Sequence, residues 1–162
     1  MPGFDQARVG DVLEIQQLIL EWGYDLDITG GSKVAKLCTD DCDYKVGGVQ
    51  HLGPDAITKF YAARNERVRT QQKDGVRTQR HTITNPRVSF QGAQDATIEF
   101  LIVNYSAEGK APALNLVGPT IIADCQMKCR FDSARGWLIA SFDSQPVFIG
   151  NDPFLNASVV KK

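Results

Sequence analysis

The sequence predicts an α+β domain in which helices come first and a strongly curved sheet follows. Apolar side chains recur every three or four residues in the N-terminal part of the chain, whereas from residue 76 onward they recur every second residue. Helices that precede an antiparallel sheet are expected to pack together on one of its faces. A length of 162 residues fits one domain, with the core expected over about 8–148 and a tail over 149–162.

Helices are predicted in three places. The first covers 9–26, because this segment carries one apolar stripe with helical spacing. The stripe consists of Val12, Ile15, Ile19, Trp22 and Leu26. A second, short helix is expected over 32–38, where a serine can cap the free amides at its start. The third is predicted over 54–70, because Pro54 suits the first helical position and Asp55 complements the positive end of the helix dipole.

Strands follow the helices. The segment TDDCDYKVGG (39–48) indicates a turn that leads into a short first strand. The period of two predicts four longer strands in an antiparallel meander, near 76–91, 95–107, 118–131 and 136–148. The tail after them either folds over the sheet or an open cavity, or frays.

The composition argues against several classes of partner. The chain has 18 basic and 19 acidic residues and a formal net charge of −1, so no overall field attracts nucleic acid or an anionic membrane. The basic segment 63–80 is interrupted by acidic and polar residues, and we interpret it as a solvated helix end and loop. No secretory signal is recognised and no apolar run reaches the ~20 residues of a membrane helix. We therefore expect a soluble, cytoplasmic protein that binds neither nucleic acid nor membrane.

The sequence also lacks the motifs of common cofactors. The four cysteines form the pairs Cys38/Cys42 and Cys125/Cys129, whose spacing does not match a zinc finger, so we expect reduced, buried thiols and no metal site. There is no glycine-rich dinucleotide motif, P-loop, nucleophile elbow or zinc-protease helix. A mechanism without a cofactor is therefore expected.

A histidine and an aspartate are the main candidates for chemistry. His81 lies in RTQRHTITN (77–85) and shares a strand face with Ile83, so it is expected to point to the apolar side. Asp27 lies just after the stripe of the first helix, where the negative end of the dipole disfavours a lone carboxylate and favours a protonatable partner. An aspartate that holds one imidazole nitrogen makes the other a general base near neutral pH. A histidine that is merely buried and hydrogen-bonded is the alternative.

Three further polar residues are candidates for substrate binding. Tyr44 on the first strand and Tyr24 one helical turn before Asp27 could polarise a substrate oxygen, or be half-buried structural tyrosines. Asp124 alternates with an apolar row on its strand, which consists of Ile121, Ala123, Cys125 and Met127. Either this row faces the cavity and Asp124 is a surface charge, or the row forms an oligomer interface and Asp124 lines the pocket.

Four segments in this order resemble the SnoaL-like branch of the nuclear-transport-factor-2-like superfamily. They are EWGYDLD (21–27), DCDYK (41–45), GPDAITKFYAARN (53–65) and RTQRHTITN (77–85). The resemblance covers roughly residues 8–145. It implies a cone-shaped, cystatin-like fold, in which three N-terminal helices pack on a strongly curved mixed or antiparallel sheet that encloses a cavity.

The resemblance also implies site residues. Compared with scytalone dehydratase, a family member, Asp27 and His81 resemble the catalytic aspartate and histidine, and Tyr44 resembles a substrate-orienting tyrosine. Trp22 resembles a pocket tryptophan, although many relatives have tyrosine there, and Leu101 stands near the position of a second catalytic histidine. Scytalone itself is therefore not the expected substrate.

The resemblance thus implies a small cofactor-independent lyase or isomerase of the dehydratase, isomerase or polyketide-cyclase type. His81 would remove a carbon-bound proton from an apolar cyclic metabolite of polyketide, steroid or terpenoid type. The expected substrate-binding residues are Trp22, Tyr24, Phe60, Phe100, Ile102 and Asp124. The alternatives are a non-catalytic binding or interaction subunit and a structural subunit similar to the small subunit of ring-hydroxylating dioxygenases. Family members usually assemble through the outer sheet face, so a homodimer or homotrimer is expected.

Overall fold

The computed structural model describes residues 5–116 and 118–159, which form three α-helices and six strands. The helices are α1 (Val9–Thr29), α2 (Gly53–Gln71) and α3 (Pro153–Val159). The strands are β1 (Cys38–Val46), β2 (Val49–Leu52), β3 (Arg77–Phe90), β4 (Asp95–Glu108), β5 (Ile121–Asp132) and β6 (Gly136–Ile149). Short 3₁₀ turns cover Gln6–Arg8, Val34–Leu37 and Lys73–Gly75.

All six strands form one mixed sheet in the order β2-β1-β6-β5-β4-β3. β1 runs parallel to β6, and every other neighbouring pair is antiparallel, so the predicted meander of β3 to β6 is present. The register shifts between Thr84 and Arg87 on β3 and between Lys128 and Cys129 on β5. Such irregularities bend a sheet and increase its twist.

Only two of the three predicted N-terminal helices are α-helices. The segment predicted as a helix over 32–38 forms a 3₁₀ turn at Val34–Leu37, because β1 already begins at Cys38. Residues 39–46 likewise belong to strand β1 itself, and the turn follows the strand rather than preceding it. β2 is a further strand, joined to β1 by Gly47 and Gly48, which both have positive φ as a tight hairpin turn requires.

The helices α1 and α2 cover one face of the sheet, with α1 against β3 and α2 against β1. On β5 the alternation of burial identifies this inner face, because Ala123, Cys125 and Met127 are buried whereas Asp124 and Gln126 are exposed. The apolar row of β5 therefore belongs to the core of the domain. The alternative in which this row forms an oligomer interface is wrong.

The four cysteines are buried and free. Burial raises the pKa of Cys125 and of Cys129 to about 12. Thiols with such a pKa are protonated and unreactive at neutral pH. Among the residues described, no three His, Cys, Asp or Glu side chains lie close enough together to hold a metal ion. The described helices also include none that is long and apolar enough to cross a membrane.

The tail does not fray over its described part but forms α3. Asp152 precedes this helix, accepts a hydrogen bond from the backbone N–H of Leu155 at 3.2 Å and forms a buried ion pair with Arg77 on β3. The ring of Phe154 lies 4.8 Å from the guanidinium carbons of both Arg67 and Arg77. These contacts fix α3 against β3 and α2.

Candidate active site

An apolar cavity of about 210 Å³ lies between the helices and the inner face of the sheet. Its apolar wall includes Trp22, Phe60, Ile102 and Phe142. Its polar groups are Tyr61, Arg64, Arg67, His81, Asn104 and Ser144. A mostly apolar cavity with a few convergent polar groups is typical of a small-molecule site.

Asp27 and His81 meet at one side of this cavity. The Oδ1 atom of Asp27, on the last turn of α1, lies 2.7 Å from Nδ1 of His81 on β3. The carboxylate also accepts the backbone N–H of His81, at 3.1 Å to Oδ1 and 3.0 Å to Oδ2. Because a carboxylate only accepts, the neutral imidazole carries its proton on Nδ1, and Nε2 is then the acceptor. Nε2 has no hydrogen-bond partner within the described residues, and the ring lines the cavity.

The end of α1 is built to bring Asp27 to β3. Gly23, one helical turn earlier, permits the close approach, because a Cβ there would lie 2.9 Å from Cδ1 of Ile83. Gly30 ends the helix in the left-handed conformation, with φ of 66°. The buried carboxylate of Asp25 accepts the backbone N–H of Lys33 at 2.8 Å and fixes the turn that follows. Asp25 therefore has a structural contact and Asp27 alone faces the histidine.

Aromatic rings surround the imidazole. The ring of Trp22 lies 6.4 Å from that of His81, 5.1 Å from Phe142 and 6.1 Å, edge-on, from Phe100. Trp22 is only 1% exposed, so its indole N–H needs a partner inside the protein.

A hydrogen-bond chain runs from this tryptophan to α2. Trp22 Nε1 donates to the Tyr44 hydroxyl at 2.8 Å, and the hydroxyls of Tyr44 and Tyr61 lie 2.6 Å apart. Burial, together with the neighbouring Tyr61, raises the pKa of Tyr44 well above its ordinary value. Burial also raises the pKa of Tyr61, while the hydrogen bond from Tyr44 and the charge of Arg64 act in the opposite direction. Both phenols are therefore neutral at physiological pH.

Arg64 lies three residues after Tyr61 on α2 and lines the same cavity. Its Nη2 donates to Oε1 of Gln79 at 2.7 Å, and Nε2 of Gln79 in turn donates to the carbonyl of Leu26 at 2.5 Å. Burial lowers the pKa of Arg64, and the positive charges of Arg77 and Arg67 act in the same direction. An arginine remains charged even so.

The sequence profile of the SnoaL-like domain matches residues 7–143. The chain belongs to the SnoaL-like family. No curated protein matches it significantly in sequence.

Solved structures share the fold of this SnoaL-like domain. ActVI-ORFA from Streptomyces coelicolor has a TM-score of 0.72 at 11% identity, covering 87% of this chain and 98% of its own. A candidate scytalone dehydratase from Novosphingobium aromaticivorans has a TM-score of 0.68 at 15% identity, with 90% and 89% covered. A protein from Catenulispora acidiphila in complex with S-DNPA has a TM-score of 0.67 at 15% identity, with 83% and 91% covered. The chain is thus similar in fold to proteins of this kind over most of its length.

Several of the residues predicted from the sequence lie together in this SnoaL-like domain. His81, Trp22, Phe60 and Ile102 line the cavity. Asp27 does not line the cavity itself but contacts Nδ1 of the His81 ring.

Four residues predicted to contact a ligand do not line this cavity. Tyr24 is 64% exposed, because its position on α1 lies outside the buried stripe. Asp124 is exposed on the outer face of the sheet, beside Asn85 and Arg87, because only the apolar face of β5 is covered by helices. Phe100 and Tyr44 are buried behind Trp22 and do not line the cavity, and the Tyr44 hydroxyl is held by Trp22 and Tyr61.

Five polar residues of the cavity wall are absent from the site predicted from the sequence: Tyr61, Arg64, Arg67, Asn104 and Ser144. Of these, Tyr61 lies within the predicted third helix, and Arg64 belongs to the segment 63–80 interpreted as solvated. A helical spacing of three places both on one face of α2, which is the signal that could have identified the arginine.

Proposed function

We propose that this chain is a small cofactor-independent lyase or isomerase in which His81 removes a proton bound to carbon. The observation that carries the proposal is the 2.7 Å contact between Asp27 Oδ1 and His81 Nδ1, with the other side of the ring open to an apolar cavity. The membership in the SnoaL-like family and the fold likeness to a candidate scytalone dehydratase support it.

The proposed roles follow from the geometry. Asp27 fixes the imidazole tautomer and orientation, since it binds both the ring N–H and the backbone N–H of His81. Nε2 then accepts the proton from carbon, and the adjacent carboxylate stabilises the imidazolium that forms. The apolar wall keeps water away from the carbanionic intermediate. Dehydration, double-bond isomerisation and cyclisation all begin with this step.

The size of the cavity narrows the class of substrate. A cavity of about 150 Å³ holds benzene, and drug-sized ligands occupy about 300–1,000 Å³. The 210 Å³ observed here therefore fits a compound of one or two rings better than a steroid. A proton beside a carbonyl is the kind that a histidine base can remove, so we propose a small cyclic ketone or enone as the substrate class.

Deuterium wash-in tests the proposal without knowledge of the natural reaction. The protein is incubated in D₂O with cyclohexanone, 2-cyclohexenone and 1-tetralone, and exchange at the carbon beside the carbonyl is followed by NMR. We expect His81→Gln to reduce the exchange rate about 10²–10⁴-fold. Asp27→Asn should reduce it as well, whereas Asp124→Asn on the outer face should not. Equal rates in all four proteins would refute the dyad.

A second candidate is a ligand-binding module without catalysis. The apolar cavity favours it, as does the related Catenulispora acidiphila structure, which contains a bound small molecule. This candidate predicts saturable binding of the same ketones without deuterium exchange, and equal binding by wild type and His81→Gln.

We also propose that the chain is one functional domain that assembles as a homo-oligomer through the outer face of the sheet. Phe148, at one end of β6, is 65% exposed and pairs with Ile122 on β5, which lies on the outer face because the neighbouring Ala123 is buried on the inner face. Light scattering after size-exclusion chromatography tests this, and a monomer at micromolar concentration would contradict it.

A further inference from the structure

The hydrogen-bond chain from Trp22 to Tyr61 has a direction. An indole N–H can only donate, so the Tyr44 oxygen accepts from Trp22 Nε1. Tyr44 has a single hydroxyl proton and is fully buried. If it also accepted a proton from Tyr61, its own proton would be left without an acceptor in a site with no water access. Tyr44 therefore donates to the oxygen of Tyr61.

Because Tyr44 donates to Tyr61, the hydroxyl proton of Tyr61 is available for a hydrogen bond to another group. In the described part of the chain, the only hydrogen-bond partner of the Tyr61 hydroxyl is Tyr44. Tyr61 lines the cavity, so the remaining acceptor is a ligand or a water molecule inside it. The Tyr61 ring packs directly on the backbone of Gly31, so closely that a Cβ on Gly31 would lie 2.3 Å from Cδ1 of Tyr61. The ring therefore has little room to turn away from the cavity.

Arg64 adds a positive charge to the same wall. Among the described residues its one hydrogen-bond acceptor is the neutral amide of Gln79, and no carboxylate forms an ion pair with it. That amide is itself fixed, because its nitrogen donates to the carbonyl of Leu26. The remaining donors of the guanidinium group are available to a ligand. A half-buried cation without an ion-pair partner favours a negatively charged ligand.

We propose that Tyr61 and Arg64 bind a ligand oxygen that becomes negative during the reaction. The inference rests on the proposed function of His81. When Nε2 of His81 takes the proton from carbon, the C–H electron pair forms a carbon–carbon double bond and the carbonyl π electrons move to oxygen. The resulting enolate oxygen accepts the hydroxyl proton of Tyr61 and an N–H of Arg64 as hydrogen bonds. Tyr61 is then a catalytic residue, and Tyr44 and Gly31 position it.

Phenolates test this site because they carry a negative oxygen on a single ring and resemble an enolate. The affinities of phenol, 4-chlorophenol and 4-nitrophenol are measured by titration calorimetry at a pH where only the last is ionised. In the wild type, we expect affinity to rise with the acidity of the phenol. No binding, or affinity independent of acidity, would overturn the proposal, and this measurement needs no variant.

The variants then assign the site to the tyrosine. Tyr61→Phe should weaken 4-nitrophenolate binding about tenfold or more, since a hydrogen bond to a charged group is lost. Tyr24→Phe, which removes the same hydroxyl from the exposed face of α1, should bind as the wild type does. Unchanged affinity in Tyr61→Phe would overturn the inference and indicate the opposite direction of the chain.

The phenol titrations and the deuterium exchange distinguish a failure of the oxygen site from a failure of the His81 base. Acidity-dependent binding that needs Tyr61, without exchange of ketones, supports the oxygen site and refutes the His81 base. Exchange that is lost in His81→Gln, together with phenolate binding that is unchanged in Tyr61→Phe, supports the His81 base and refutes the oxygen site.

Discussion

Replacing Asp27 with alanine should destabilise the protein far more than replacing it with asparagine. Asp27→Ala leaves two donors of His81, its backbone N–H and its ring Nδ1–H, without an acceptor in a site where the two side chains are only 9% and 15% exposed. Each buried orphaned donor costs about 1–3 kcal/mol, and removal of the carboxylate from the negative end of α1 returns about 0.3–1 kcal/mol. For the two donors together, we expect a net loss of about 1–6 kcal/mol in the free energy of unfolding.

Asp27→Asn keeps most of this stability. Oδ1 of Asp27 already contacts both donors, at 3.1 Å from the backbone N and 2.7 Å from Nδ1, so one amide oxygen can accept both. Oδ2, which lies 3.0 Å from the same backbone N, becomes an amide nitrogen that cannot accept this N–H, and we expect a loss of about 1 kcal/mol. Urea unfolding followed by tryptophan fluorescence measures both values. Losses below about 0.5 kcal/mol for both variants, or equal losses, would refute the reasoning.

Two other substitutions test the surroundings of the site. Gly31 has φ of 84° and packs on the Tyr61 ring, so Gly31→Ala should cost about 1–3 kcal/mol for the backbone alone, whereas Gly10→Ala in the exposed part of α1 should stabilise by about 0.5–1 kcal/mol. Thermal melts would contradict this if the two shifts had the same sign. Arg77→Met leaves the buried carboxylate before α3 unpaired and should cost about 3–5 kcal/mol, against less than about 1 kcal/mol for Arg87→Met in an exposed pair. Similar losses in urea would show that α3 is not fixed by this ion pair.

The pairing of Asp27 with His81 could be predicted because it depends on two periodic patterns. The apolar stripe of α1 places Asp27 directly after its last apolar residue, near the helix end, and the period of two determines which face of β3 carries His81. The same stretch contains Asp25, which is buried but binds the turn after the helix. The position beyond the stripe favoured Asp27, and the three-dimensional arrangement of the turn and β3 distinguishes the two contacts.

The second group of polar residues depends on distances between elements, which a pattern does not contain. Which of the two hydroxyls, that of Tyr44 or that of Tyr61, reaches the cavity depends on how α2 lies over β1. Tyr44 is the deeper of the two and its hydroxyl is used by Trp22. Arg64 could not be predicted from the charge of its segment, because average charge and composition do not show which individual side chains face the cavity. One face of α2 is buried although the segment as a whole is polar.

The face of Asp124 shows a different limit. A strict period of two describes both faces of β5 equally well, and either could line a cavity. The helices cover only one face of this sheet, and the apolar row is the face that gains from being covered. Knowledge of the side on which α1 and α2 lie would have been enough to place Asp124 outside.

The charges around the cavity suit both the group that gains the proton and the oxygen that becomes negative in the proposed step. Before the transfer, Asp27 is negative and Arg64 is positive while His81 and the ligand are neutral. Afterwards the imidazolium lies beside Asp27 and the new oxygen anion lies beside Arg64 and Tyr61. Each charge that forms thus meets a partner of opposite sign that is already fixed by the fold, so little reorganisation accompanies the step. Loss of either partner should therefore slow proton removal even where the ketone still binds.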